Sequence, residues 1–502
     1  MSSYGENLRR YIKDSGMSVR RLSLEAGMNR TLLQKYLSGE RLPKNIKEVE
    51  HLSDCLMLSP EKRELLAQEY NRSRQGEKRY ESFLMIRDML HGLTDFRMHP
   101  VSAGTMEEAP LAADSGQKSP FMTEGSKVCK GSMEVEQALR SVLKRAMDAG
   151  GEETIQIIAQ PEAENLLKTV LAVCGGKNSW GGVEQIVCLD EDSSEGNNNI
   201  STVYSLLPML FGSLRYQSFY YYDKKDAHIN SMSLFPVMIL AGDTAMICNY
   251  KMDEGLVFYH RDSVDFCRRQ YSRMKKHTRL LTPSFKDDVT EWMTFLQNFM
   301  TDIAVADVCI GSIPCITYAL NETILKEVLR LDEEGNRCLM NIFAKNRETF
   351  LKAADKKAPI NIFDEKGLRY FMETGRTDEY PYDWYIPVPI PYRLLILEGM
   401  IAMGENGYME YIMTNPDFLT LDPNLLIYVG ENVVFQYHQA DQLSQYFSIN
   451  ERGIRRSFQE FVGFAIENNW LDDKDATIRT MKKLLAEYRE KFEQCGEGNK
   501  PV

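Results

Sequence analysis

The sequence predicts a multidomain chain in which a small all-α unit of five short helices precedes a large α/β region. Three observations carry this. At 502 residues the chain exceeds what one hydrophobic core usually organises, so several compact units are expected. Within the first seventy or so residues, helical periodicity restarts five times behind capping signals. From residue 132 onward, apolar strand-like runs alternate with helical ones.

The first helix is announced by Ser3 and Glu6 at capping-box spacing, with Leu8, Tyr11 and Ile12 on one face and Gly16 as its stop. Ser18 starts a second, in which Leu22 and Ala26 share a face before Gly27 permits a left-handed turn. Asn29 caps a third, whose apolar side is Leu33, Tyr36 and Leu37 and whose end is Ser38-Gly39. Asn45 and Glu48 repeat the capping spacing ahead of Ile46, Val49, Leu52 and Leu56. Ser59-Pro60-Glu61 opens the fifth, with proline where its missing N–H is harmless. These elements define a unit over residues 1–70.

Residues 71–97 continue as a charged helical connector carrying Tyr80, Phe83, Ile86 and Leu90. Its apolar stripe suits a dimer helix, a stalk or a helix packed on its own body. Residues 98–131 mix Pro, Gly, Ser, Thr and Ala without a period and read as a flexible linker. A helix is expected over 132–149. Strands follow at 154–159, 185–189, 216–222 and 234–241, interleaved with helices at 163–173 and 201–211; 245–250 and 255–259 suit a hairpin before a helix at 263–274. Beyond Pro283, helices are expected at 287–304, 322–331, 336–353, 366–374, 392–403, 442–469 and 476–492. Strands are expected at 310–319, 360–363, 408–413, 425–429 and 433–437. The region divides into a 132–283 half, read as a sensor, and a 284–502 half with C-terminal helices.

Composition narrows the function. Hydrophobic residues at 43% and charged residues at 26% are ordinary for globular protein. No run approaches the roughly 18 apolar residues of a membrane span, and the N-terminus lacks the basic and apolar regions of a signal peptide, so a cytoplasmic location without membrane contact is expected. The 10 cysteines occur singly, without CxxC spacing, which suits buried free thiols. Net charge is −12, yet residues 1–47 carry ten Lys/Arg against four Asp/Glu, leaving −18 for the remainder. One end can approach phosphate and the rest is repelled by it.

The stretch from Ser18 through Arg20, Leu22, Gly27, Asn29, Leu33 and Tyr36 to the Gly39-Glu40-Arg41-Leu42-Pro43 exit resembles the helix-turn-helix of the Cro/CI (Xre, lambda-repressor-like) family. The resemblance implies a lambda-repressor-like unit that places its third helix in the major groove of double-stranded DNA while the second crosses the backbone. On that footing Arg30, Thr31, Gln34 and Lys35 read bases, because Arg and Lys donate to guanine and Gln pairs with adenine. Arg20, Asn29, Arg41 and Lys44 contact phosphate. Val19 and Leu37 stand where the family often has polar residues.

No P-loop, GxGxxG, GxSxG, HExxH or HxK pattern occurs, and no catalytic group, cofactor or metal is expected. His260 and His438 follow strand-like runs and suit either a site or a structural position. Residues 219–223 and 380–387 set aromatic rings beside carboxylates, a combination suited to a small ligand or to core packing. The expected function is a non-enzymatic, dimeric transcription regulator of bacterial type, whose α/β region takes a small-molecule or protein effector or mediates assembly. The alternative is a DNA-binding module fused to an enzyme or to an interaction platform.

Overall fold

A computed structural model describes residues 3–92, 125–148, 154–163, 165–175, 181–191, 199–211, 214–225, 236–282, 303–380, 382–439 and 442–496. It is multidomain, with an all-helical N-terminal unit and an α/β region.

Each N-terminal start signal is met by a helix: α1 (Ser3–Asp14), α2 (Val19–Glu25), α3 (Arg30–Ser38), α4 (Ile46–Cys55) and α5 (Pro60–Gln75). The caps explain the boundaries, since they satisfy N–H groups that have no partner inside the helix. Ser18 Oγ accepts from Arg21 N at 3.2 Å, Asn29 Oδ1 from Thr31 N at 2.8 Å, and Asn45 Oδ1 from Glu48 N at 3.1 Å. Gly27 (φ 60°) and Gly39 (φ 74°) occupy the left-handed conformation that ends α2 and α3. Leu8, Leu22, Leu33, Val49 and Leu66 close the core around Tyr4, Tyr36 and Tyr70.

At Gly76 the chain turns from α5 into α6 (Glu77–His91). Of the three arrangements open to the connector, α6 takes the packed one. It lies against α9 (Asn199–Phe211) and α15 (Arg452–Glu467), with Phe83 and Phe464 ring centroids 4.7 Å apart. The expected linker is also shorter at its C-terminal end. Ser126–Lys130 forms strand β1, which pairs antiparallel with β7 (Glu254–Phe258). Residues 93–124 lie outside the described residues.

The α/β region holds two mixed sheets. The first contains β1, β2 (Ile155–Ile158), β3 (Val183–Leu189), β4 (Tyr216–Tyr222), β5 (Val237–Ala241), β6 (Thr244–Cys248), β7 and β8 (Arg279–Thr282), in the order β1-β7-β6-β5-β2-β3-β4-β8. The second contains β9 (Val308–Gly311), β10 (Ile360–Phe363), β11 (Glu410–Met413), β12 (Leu425–Val429), β13 (Val433–Gln439) and β14 (Gln442–Ile449), in the order β11-β10-β9-β12-β13-β14. The second repeats a plan found in the first. In each, three sequential strands are parallel (β2-β3-β4 and β9-β10-β11), and an antiparallel meander (β5-β6-β7 and β12-β13-β14) extends from the edge of the earliest of them.

The remaining helices are α7 (Ser132–Asp148), α8 (Leu166–Cys174), α10 (Arg261–Lys275), α11 (Glu322–Val328), α12 (Glu333–Ala354), α13 (Glu365–Thr374), α14 (Ile390–Glu405) and α16 (Lys474–Gly496). Two sequence expectations change. Residues 442–449 form a strand instead of a helix, because the segment pairs with β13 as the last strand of the meander. Residues 312–319 leave the sheet after β9, and Thr317–Ala319 coil into a 3₁₀ turn. The helix expected at 287–304 falls almost wholly outside the described residues.

One apolar cluster joins α6 to both sheets, running from Tyr80 and Phe83 through Ile157 and Val187 to Ile427, Phe435 and Trp470. Polar contacts tie the N-terminal unit to the second half: buried Asn71 donates to Asn468 Oδ1 at 2.8 Å, and Arg74 and Arg79 pair with Glu467 and Glu460 at 3.2 Å each. The cysteines among the described residues are free, and most are buried. No helix of the described residues is long and apolar enough to cross a membrane.

Candidate functional site

Helix α3 turns Leu33, Tyr36 and Leu37 inward and leaves Arg30, Thr31 and Gln34 exposed on the other side. This follows from the 3.6-residue period, which separates 30, 31 and 34 from 33, 36 and 37. Tyr36 fixes the helix to its neighbour, its hydroxyl donating to Glu48 Oε2 at 2.9 Å. Leu37, one of the departures from the family pattern, is a core residue.

The other expected contact residues divide. Arg20 on α2, and Arg41 and Lys44 beyond α3, are exposed. Asn29 is exposed, but its carbonyl oxygen is committed to the cap of α3, leaving its amide N–H₂ to face a ligand. Lys35 is half-buried, and its ammonium pairs with Glu40 at 2.8 Å, so it reaches a base only by giving up that partner. Arg30, Thr31, Gln34 and Arg20 thus occupy the outer side of the α2–turn–α3 pair, with Arg41 and Lys44 following.

The α/β halves place their polar groups inward. Beyond the C-terminal ends of β2 and β4, the Lys225 ammonium is buried. It pairs with Glu162 and donates to Thr202 Oγ1 at 2.7 Å and Ser201 Oγ at 3.1 Å. In the second half, Glu379 Oε2 accepts from Thr317 Oγ1 at 2.9 Å and Ile316 N at 3.3 Å. Burial pushes the Glu379 carboxyl up to about 7 and its neighbour Asp378 to about 6. Cys315 lies in the same centre, where a hydrogen bond with Cys309 and burial hold its thiol well above the ordinary value, the opposite of an activated nucleophile.

Both aromatic segments serve the fold. Tyr220 and Tyr222 reach from β4 to the second half, where Tyr222 donates to Glu451 Oε1 at 2.8 Å and Tyr220 to Asn450 O at 3.4 Å. Tyr380, Trp384 and Tyr385 line a cavity of about 30 Å³ with Leu325, Leu329 and Phe343. That volume admits a water or two and falls far below the roughly 300–1,000 Å³ of pockets that take small organic ligands. His438 is buried with its pKa lowered by that burial, its ring 4.6 Å from Tyr382, whereas His260 is exposed ahead of α10. No cluster of His, Cys, Asp or Glu suited to a metal occurs among the described residues.

One surface was not legible as a site. The segment 263–274 reads as an ordinary helix, yet residues 261–279 carry seven Lys/Arg against two Asp/Glu within an acidic body. A running charge count would have singled it out.

No family model and no curated protein matches the chain. Among solved structures it is similar to "Crystal structure of phosphatidylserine synthase Haemophilus influenzae Rd KW20", at 11% identity, covering 74% of this chain and 94% of that one, with a TM-score of 0.22. That structure is of an enzyme and not of a DNA-binding regulator. With no family model and no curated relative to support them, the Cro/CI-type assignment, the transcription-regulator function that came with it and the expectation of a non-enzymatic chain are withdrawn. A TM-score of 0.22 carries no argument, so neither the synthase fold nor its chemistry takes their place.

Proposed function

We propose that the N-terminal helical unit contacts double-stranded DNA, with α3 in the major groove and α2 across the backbone. The observation that carries this is the exposed set Arg30, Thr31 and Gln34 on a helix whose opposite side is locked into the core by Leu33, Tyr36 and Leu37. Arginine suits guanine O6 and N7, and glutamine suits adenine N6 and N7. Arg20, Arg41, Lys44 and the Asn29 amide contact phosphate, and Lys35 reaches a base on release from Glu40. Two copies reading half-sites about one helical turn apart multiply the few contacts a single unit makes.

The test is the ionic-strength dependence of duplex binding by the full-length chain. Three phosphate-contacting cations per copy (Arg20, Arg41 and Lys44) give a slope of log K against log salt of about −3 for each copy bound. Absence of binding, or a binding constant indifferent to salt, contradicts the reading.

A further inference from the structure

Helix α10 lies on the first sheet with Val264, Cys267 and Tyr271 buried against Ile186, Leu240 and Ala245. Its cations separate into two groups. Lys275 is tied to the body through Glu184 Oε2 at 2.6 Å. Arg268 is tied through Gly242 O at 2.8 Å and lies 3.4 Å from Asp265. Arg269, Arg273 and Lys276 are exposed, and no hydrogen bond or ion pair reaches their side chains from the described residues. They recur at i, i+4 and i+7, one stripe along the helix. With Asp265, Arg268 and Ser272 they line a shallow concave surface of about 460 Å³.

From these observations we infer that the α10 stripe is a second nucleic-acid contact, which grips the phosphate backbone of a DNA duplex through the body of the protein. Three unneutralised cations in register repel one another, and an anionic partner removes that repulsion. At 1.5 Å rise per residue the stripe is about 10 Å long, the length of about three phosphates of one strand at 3.4 Å of axis each. Among the described residues no apolar side chain lines the concavity, whereas the centre of a protein–protein interface is aromatic and aliphatic. A polar, cationic lining is what a phosphate backbone requires. This site does not need the N-terminal reading, because its cations belong to a different element and contact no base.

The experiment compares three full-length chains on a fluorescein-labelled duplex of random sequence, from 50 to 200 mM KCl: the native chain, Arg269→Ser/Arg273→Ser/Lys276→Ser, and Arg30→Ala/Gln34→Ala. The triple substitution leaves the buried side of α10 intact, and an unchanged thermal midpoint verifies this. The expected result is binding weakened by about tenfold or more at 100 mM salt, with a slope shallower by about 2 to 3. This loss appears in the triple variant whether or not the Arg30/Gln34 variant differs from native, so the two readings fail separately. A triple variant of native affinity and slope overturns the inference and leaves an acidic protein as the ligand to examine.

Discussion

In the N-terminal unit Arg20, Arg30, Arg41 and Lys44 stand exposed over an apolar core, whereas in the first half of the body Lys225 is buried and held by Glu162, Ser201 and Thr202. An exposed cation keeps its hydration, costs the fold little and is free to exchange water for phosphate. A buried one has lost that hydration and depends wholly on its built-in partners. Charge in the first region is therefore available to a ligand, and charge in the second organises the strand ends. The α10 stripe follows the first pattern within the second region.

The largest effect expected from this contrast is on stability. Lys225→Met should destabilise the chain by about 3–5 kcal/mol in denaturant unfolding, because it strands the Glu162 carboxylate. Adding Glu162→Leu should restore a large part of the loss, since removing both charges also removes the unpaired one. By the same measurement Arg30→Ala should stay within about 0.5 kcal/mol of native. A loss below about 1 kcal/mol for Lys225→Met breaks the comparison.

Glu379 sharpens it through pH. Its folded pKa of about 7 lies above the ordinary 4.5. Between those values the folded chain holds a proton that the unfolded chain releases. The associated stability is full below about pH 4.5 and is lost as pH rises through 7. Glu379→Gln keeps the acceptor for Thr317 and Ile316 but removes this titration. Relative to native, the variant should gain on the order of 3 kcal/mol between pH 4.5 and pH 8. Parallel stability–pH curves for the two chains contradict it.

The smallest effects lie at the helix caps. Asn29→Ala, which removes the acceptor for Thr31 N, should cost about 1 kcal/mol. Ser59→Ala should cost only a few tenths, because Ser59 makes no cap bond and Pro60 already sets the first turn. Equal losses at the two positions would remove the cap as the cause.

What the sequence makes legible follows the range of the interactions. The five N-terminal helices were readable because Ser18, Asn29 and Asn45 bond groups two or three residues away. Strand β1 was hidden because its partner β7 lies more than a hundred residues further along, and β14 because Gln442–Ile449 becomes a strand only beside β13. The repeated sheet plan has no counterpart in a repeated motif, since strand order is set by tertiary pairing. At the candidate sites, Arg30 and Gln34 could be chosen from helical period alone. Lys225 and Glu162, 63 residues apart, and Thr317 and Glu379, 62 apart, meet only in the fold. The Lys35–Glu40 pair is only five residues apart, but the helical period places Lys35 on the solvent side and carries no sign of the partner beyond the helix end.

The central claim is tested most directly by selecting a duplex from a random-sequence pool with the full-length chain and titrating it, by fluorescence anisotropy, against native protein and Arg30→Ala/Gln34→Ala. Two lost bidentate contacts should weaken binding to the selected duplex by at least about tenfold and leave binding to unselected duplex nearly unchanged. Equal affinity of the two chains for the selected duplex, or no sequence enriched by the native chain, contradicts the assignment of α3 as the element that reads DNA.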